Sequence, residues 1–217
     1  MTFQIKEIDT PVGIARAHVE TVPDARGSIV VSHGAGGGIE APDLVRLREL
    51  TQDGWNYVRV EQPWRVAGRK VATPPKTLDA AWVPIIDALT SVSGALPGPL
   101  VVGGRSAGAR VACRTAAQVG ADAVLALSFP LSGAGKTDRA RAPELRGALE
   151  AGLPVAVVQG GSDPFGRPAD FVEEFADAGD LPTGLSIHEC KGAHGFSKNP
   201  DDVLIAVREW LAVTFAE

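Results

Sequence analysis

The stretch Leu100-Val101-Val102-Gly103-Gly104-Arg105-Ser106-Ala107-Gly108-Ala109-Arg110 passes from a short apolar run through a glycine-flanked serine into helix-forming residues. Within it, Gly104 to Gly108 spell G-x-S-x-G, and the position between a buried strand and a helix is what gives the pattern meaning. A serine on so sharp a turn takes strained backbone angles and lifts its hydroxyl above the sheet, while side chains at the two glycines would strike the neighbouring strand and helix. Glycine and serine also populate phosphate-binding and capping turns, so the pattern alone leaves two readings open.

Outward from this turn, short apolar runs alternate with stretches of helical period, the pattern of a mostly parallel sheet covered by helices on both faces. Ser28 to Ser32, Tyr57 to Val60, Leu100 to Val102, Ala123 to Leu127 and Val155 to Val158 read as strands buried on both faces, with Leu185 to Cys190 as the last. Phe3 to Ile8 and Ile14 to Thr21 instead alternate apolar and polar residues around Thr10-Pro11-Val12-Gly13, which predicts an antiparallel hairpin at a sheet edge. Helical spacing covers Pro42 to Gln52, Thr77 to Val92, Ala107 to Val119, Pro143 to Glu150, Pro168 to Ala178 and Pro200 to Phe215, several opening on a proline whose missing N–H costs nothing there. Arg65 to Pro75 fits no element, and a loop of that kind beside the carboxyl edge of a sheet is where substrate contacts gather. The chain reads as one domain over residues 1–217, with about seven to eight strands.

A nucleophilic serine needs a base, and the base needs an orienting group. His194 lies in Lys191-Gly192-Ala193-His194-Gly195-Phe196, a glycine-flanked loop just after the last strand; His18, His33 and His188 sit in or at the end of strands. Asp163 follows Val155 to Val158 in Gln159-Gly160-Gly161-Ser162-Asp163-Pro164-Phe165-Gly166. In isolation it is equally a turn-initiating aspartate before a proline. The order Ser106, Asp163, His194, each after a different strand, is far more specific than any member and selects these as catalytic candidates. After the strand ending at Ser32, His33-Gly34-Ala35-Gly36-Gly37-Gly38 offers backbone N–H groups for an oxyanion, with Ala35 or Gly36 as one donor and Ala107 as the other.

Two competing motifs fail on inspection. Ile39 stands where the third glycine of a dinucleotide loop belongs. Pro130-Leu131-Ser132-Gly133-Ala134-Gly135-Lys136-Thr137 imitates a phosphate loop, but Pro130 occupies the first glycine position and Pro143 precludes a long helix behind it. Of the aromatic residues, Trp55 and Trp82 read as core, whereas Trp64, in Gln62-Pro63-Trp64-Arg65, and Phe165 are candidates for lining a substrate pocket. Arg105, beside the serine, pairs either with a substrate carboxylate or with a neighbouring acid. The residues between Phe129 and Val155 are too few for a helical lid, which points to an open site for small ester or thioester substrates.

Composition sets the surroundings. A hydrophobic fraction of 45% with 22% charged residues excludes a disordered chain, and a net charge of −5 offers no basic field for nucleic acid or an anionic membrane. No leader pattern and no apolar run of membrane-spanning length is evident, and Cys113 and Cys190 lack metal-ligand spacing, so two free thiols in a reducing, cytoplasmic setting are expected. Neither a metal nor an organic cofactor is called for, and the oligomeric state is left open.

These motifs together resemble the α/β-hydrolase fold, and more narrowly compact, lidless members similar to dienelactone hydrolases. A closer likeness is to bacterial relatives of the hydrolase-like domain of a subunit of the non-specific lethal chromatin complex. The resemblance runs from Ser28 onward and rests on Gly103 to Ser106, on the Pro130 to Lys136 loop and on Gln159 to Gly166. It implies Ser106 as nucleophile, Asp163 as orienter, His194 as general base and acid, and Ala35 with Ala107 as oxyanion donors. Ser106 departs from the cysteine of dienelactone hydrolases proper, pointing away from their enol-lactone substrate. Some relatives resemble binding scaffolds, so a silent binding protein is the second reading, with nucleotide chemistry at Lys136 a distant third.

Overall fold

Two nine-residue strands, β1 (Thr2–Thr10) and β2 (Gly13–Thr21), pair antiparallel through a tight turn in the computed structural model, which describes residues 1–91, 96–133 and 135–216. Their alternating pattern buries Ala15, Ala17 and Val19 on one side and leaves Phe3 and Ile5 of the edge strand exposed. The chain continues through β3 (Gly27–Ser32), α1 (Pro42–Arg46), a 3₁₀ segment (Leu47–Asp53), β4 (Trp55–Glu61), α2 (Pro63–Val66) and α3 (Pro75–Thr90). It then runs through β5 (Leu100–Arg105), α4 (Ala107–Thr115), β6 (Ala123–Leu127), α5 (Ala142–Glu150), β7 (Val155–Gly160), α6 (Pro168–Phe175), β8 (Leu185–Cys190) and α7 (Pro200–Thr214).

The eight strands form one sheet in the order β1-β2-β4-β3-β5-β6-β7-β8, parallel from β4 onward and closed at one edge by the antiparallel hairpin. After β3 the chain adds β4 on one side, then crosses back to lay β5 on the other, so the loops leaving β3 and β5 diverge between adjacent strands. That reversal is a topological switch point, where open α/β sheets place their sites. Side chains alternate between two cores: Val30, Val58, Val102, Val124 and Val157 meet α3, α4, α5 and α6, while Ile29, Val31, Tyr57, Val101, Leu125 and Val158 meet α1, the 3₁₀ segment and α7.

Four helices differ from the sequence expectation. Pro42 to Gln52 is not one α-helix: it tightens to 3₁₀ at Leu47, a geometry that keeps Leu44, Leu47 and Leu50, spaced by three and all fully buried, on one side. The helix expected to reach Val119 ends at Thr115, and the chain closes through Ala121 N–H to the Ala116 carbonyl with Gly120 at positive φ. The helix expected to reach Ala178 ends at Phe175, where Ala176 turns extended. The helix expected over Thr77 to Val92 runs from Pro75 to Thr90, where Ser91 turns extended, and Val92 itself lies outside the described residues. Among the described residues no helix is long and apolar enough to cross a membrane.

Candidate active site

Ser106 sits at the N-cap of α4 with φ 54° and ψ −105°, the strained turn that G-x-S-x-G predicts. The turn is possible because β3 lies against it: a Cβ on Gly104, which has φ +153°, or on Gly108 would collide with the Ser32 carbonyl oxygen. Ser106 is further pinned by its N–H, which donates to the Leu127 carbonyl of β6 at 2.9 Å.

The three residues picked from the sequence meet. His194 Nδ1 lies 2.9 Å from Asp163 Oδ2, and His194 Nε2 lies 2.9 Å from Ser106 Oγ. With Asp163 ionised, Nδ1–H donates to the carboxylate and Nε2 is left to accept the serine proton. Asp163 is 2% exposed, yet its carboxylate is well supplied: Gln159 Nε2 donates to Oδ2 at 2.8 Å and the Phe165 N–H donates to Oδ1 at 2.9 Å. Gln159, fully buried at the end of β7, also donates to the Gly166 carbonyl at 2.7 Å and so closes the aspartate loop. Ser162 joins that loop to the histidine loop, since its N–H and its hydroxyl both donate to the Gly192 carbonyl, at 3.0 and 2.9 Å.

Ser106 and His194 open into a cavity of about 270 Å³, also lined by Ala35, Ala107, Phe165 and, from the unassigned 65–75 segment, Ala72 and Thr73. The N–H groups of Ala35 and Ala107 have no acceptor among the described residues. Gly36, the alternative donor, is exposed and is not among the lining residues. Upstream of Ala35, buried His33 holds the loop: its Nε2 accepts from the Gln62 N–H at 3.2 Å, which fixes Nδ1–H to donate to the Gly34 carbonyl at 2.9 Å. Burial lowers the His33 pKa and favours this neutral form.

Two expected pocket residues are placed elsewhere. Trp64 is 4% exposed, packs edge-on against His33 at 5.2 Å between centroids, and lines a separate cavity with Ile14, Thr77 and Ala81. Pro63 starts the short helix α2 there, which buries Trp64, and the residue is not among those lining the Ser106 cavity. Arg105 takes the neighbouring-acid alternative: its Nε lies 3.3 Å from Asp43 Oδ2, and its Nη2 donates to the His194 carbonyl at 2.9 Å. Phe165 does line the cavity, with its ring 4.5 Å from that of His194. Trp55 and Trp82 are core, and both cysteines are free and buried.

The sequence reading gave no role to Gln159, Ser162, Asp43, or the arginines 110, 114 and 141 that reach the cavity. Gln159 alone carried a signal, as a polar residue ending an apolar strand that must find partners. The Pro130 to Thr137 loop carries no phosphate-binding helix behind it: Lys136 is exposed, the next helix begins only at Ala142, and Ala134 lies outside the described residues. Among the described residues no three His, Cys, Asp or Glu side chains cluster as metal ligands.

Comparison with known proteins agrees with this architecture. A serine hydrolase without a lid from Xanthomonas campestris superposes with a TM-score of 0.75 at 17% identity, over 100% of this chain and 97% of that one. Est1E from Butyrivibrio proteoclasticus, also solved with ferulic acid bound, gives 0.74 at 15% identity over 98% and 99% of the two chains. A dienelactone hydrolase from Anabaena variabilis gives 0.74 at 17% over 98% and 97%. At such identities the likeness is one of fold. No curated protein matches the chain. The family model described as alpha/beta hydrolase domain matches residues 25–202, and with the elbow at Ser106 seated at the switch point of an eight-stranded sheet, the chain belongs to that family.

Proposed function

We propose that this protein is a serine hydrolase of small carboxylic esters or thioesters, working through an acyl ester on Ser106. The observation that carries the reading is the pair of 2.9 Å contacts running from Asp163 through His194 to Ser106 Oγ on a strained turn. A serine hydroxyl is a weak nucleophile until a base removes its proton as it attacks. His194 Nε2 takes that proton while Oγ bonds to the substrate carbonyl carbon, and Asp163 holds the tautomer and stabilises the imidazolium. The carbonyl oxygen becomes an oxyanion beside the Ala107 and Ala35 N–H groups, each worth about 3–4 kcal/mol in such sites. Collapse expels the alcohol or thiol, which takes the proton from Nε2. Water then repeats the sequence on the acyl ester, with His194 again as base, and frees the acid and Ser106.

Small substrates are favoured by the modest cavity, whose exposed Ala35 rim has no helical insertion over it among the described residues. The test is intact-mass analysis after exposure to a fluorophosphonate, with Ser106→Ala as control, followed by ester and thioester panels. One adduct on the parent and none on the control is expected. A folded parent that forms no adduct overturns the reading and leaves a binding role for the fold.

A further inference from the structure

The cavity at Ser106 is unevenly charged. Arg110 and Arg114 follow Ser106 at intervals of four along α4 and so share its side of the helix; Arg141, at the N-cap of α5, joins them in the lining. Two of these guanidinium groups are matched. Arg110 Nε donates to Glu144 at 2.8 Å, and Arg114 reaches both Glu144, at 3.0 Å, and Asp79, through Nε at 3.0 Å. Both carboxylates are thereby engaged. Arg141 has no carboxylate of its own among the described residues: its Nη1 donates only to the backbone carbonyls of Pro130 and Ser132, at 3.3 and 3.0 Å. Asp138, the remaining nearby acid, is exposed and faces Lys136 at 4.0 Å. Nε and Nη2 of Arg141 have no acceptor within the protein among the described residues, so a forked pair of donors is left for a ligand. Burial first, and the charge of Arg110 second, lower the Arg141 pKa against the opposing pull of Glu144 and Asp138.

The lining also includes Ala35, Ala72, Leu78 and Phe165, which offer no charge. A neutral acyl chain that filled the cavity would desolvate the free face of Arg141 without replacing its water. A carboxylate held a few bonds from the reacting carbonyl would meet that fork, and its planar oxygens match the geometry of guanidinium donors.

We propose that Arg141 makes this cavity selective for short acyl esters or thioesters that carry a carboxylate, such as half-esters of small dicarboxylic acids. The assignment rests on the serine-hydrolase reading above. It concerns specificity, with Arg141 binding the substrate at the end remote from Ser106.

The test compares the p-nitrophenyl half-ester of glutaric acid with p-nitrophenyl valerate, a neutral ester of equal chain length, on the full-length protein. The parent is expected to favour the half-ester in kcat/KM. Arg141→Gln is expected to lower the ratio of half-ester to neutral ester about tenfold or more, mainly through KM for the half-ester, and Arg141→Lys to restore part of it. Lys136→Gln, on the exposed loop nearby, is the control and leaves the ratio at the parent value. A parent that favours valerate overturns the proposal, as does an Arg141→Gln protein that loses both activities equally, because Arg141 then only ties the Pro130 and Ser132 carbonyls. The fluorophosphonate adduct separates the two levels: an adduct without half-ester preference refutes the anion assignment alone, and no adduct on a folded parent refutes the hydrolase reading with it.

Discussion

Replacing Arg105 by methionine removes two contacts of different kinds. One is the ion pair with Asp43 at 3.3 Å; the other is the hydrogen bond to the His194 carbonyl at 2.9 Å. Asp43 is 1% exposed and burial already raises its pKa, so without Arg105 its carboxylate is left in an apolar setting with its counter-charge gone. Breaking a buried pair from one side costs about 3–5 kcal/mol, which partial exposure of Arg105 and proton uptake by Asp43 reduce to about 2–3 kcal/mol. A carboxyl whose native pKa is raised contributes stability that is lost as pH climbs above its unfolded value, so the deficit of Arg105→Met should shrink on acidification. The second contact bears on turnover. Arg105 bridges the strand end before the serine and the backbone of the histidine, and a displacement of about 1 Å in a reacting group costs on the order of 100-fold. Ester kcat should therefore fall about 10- to 100-fold with KM little changed, because Arg105 is not among the residues lining the cavity. Adding Asp43→Leu removes the stranded carboxylate, so urea unfolding should return to within about 1 kcal/mol of the parent while turnover stays low. Recovery of turnover together with stability in the double variant would refute the positioning argument, as would a single variant whose kcat stays within about threefold of the parent.

Other consequences can be checked with simple assays. Gly108→Ala forces a methyl group onto the Ser32 carbonyl and should cost about 2–3 kcal/mol in chemical denaturation, with turnover falling as the adjoining His33 to Ala35 loop shifts. Burial pushes the thiols of Cys113 and Cys190 up to about 12 and about 11, so neither should react with a disulfide reagent at neutral pH in the native state, and both should react in urea. Because burial lowers the His33 pKa from 6.5, the unfolded chain binds its proton at higher pH than the native one. Stability should then fall as pH drops below 6.5, and His33→Gln should flatten that slope in part, since His188 shifts in the same direction.

What could be read from the sequence divides along a physical line. The elbow, the apolar strands and the hairpin are legible because local backbone demands fix residue types within a few positions. Gly104 and Gly108 must lack a Cβ to approach Ser32, and the central runs of β3, β5, β6 and β7 must be apolar to be buried on both faces. Element ends are less legible, since tertiary packing selects them. Leu44, Leu47 and Leu50 carry the spacing of a 3₁₀ turn, but that spacing is also tolerated on an α-helix until the core they enter is known.

The site divides in the same way. Ser106, Asp163 and His194 were recoverable because each follows its own strand in a fixed order, and the sheet then brings the strand ends together. Ionic partners have no such rule: any of the 21 Lys and Arg residues could in principle meet any of the 26 Asp and Glu residues. Nothing in the neighbourhood of Arg105 announces Asp43, on a helix that precedes it by two strands, and nothing beside Arg141 says that Glu144 is already claimed by Arg110 and Arg114. The reacting groups of such a site are thus fixed by local sequence, whereas its selectivity is decided by which charge is left over once distant partners have paired. On that ground Arg141, the cavity arginine without a carboxylate among the described residues, is the position at which substitution should change which substrate is taken before it changes whether the serine reacts.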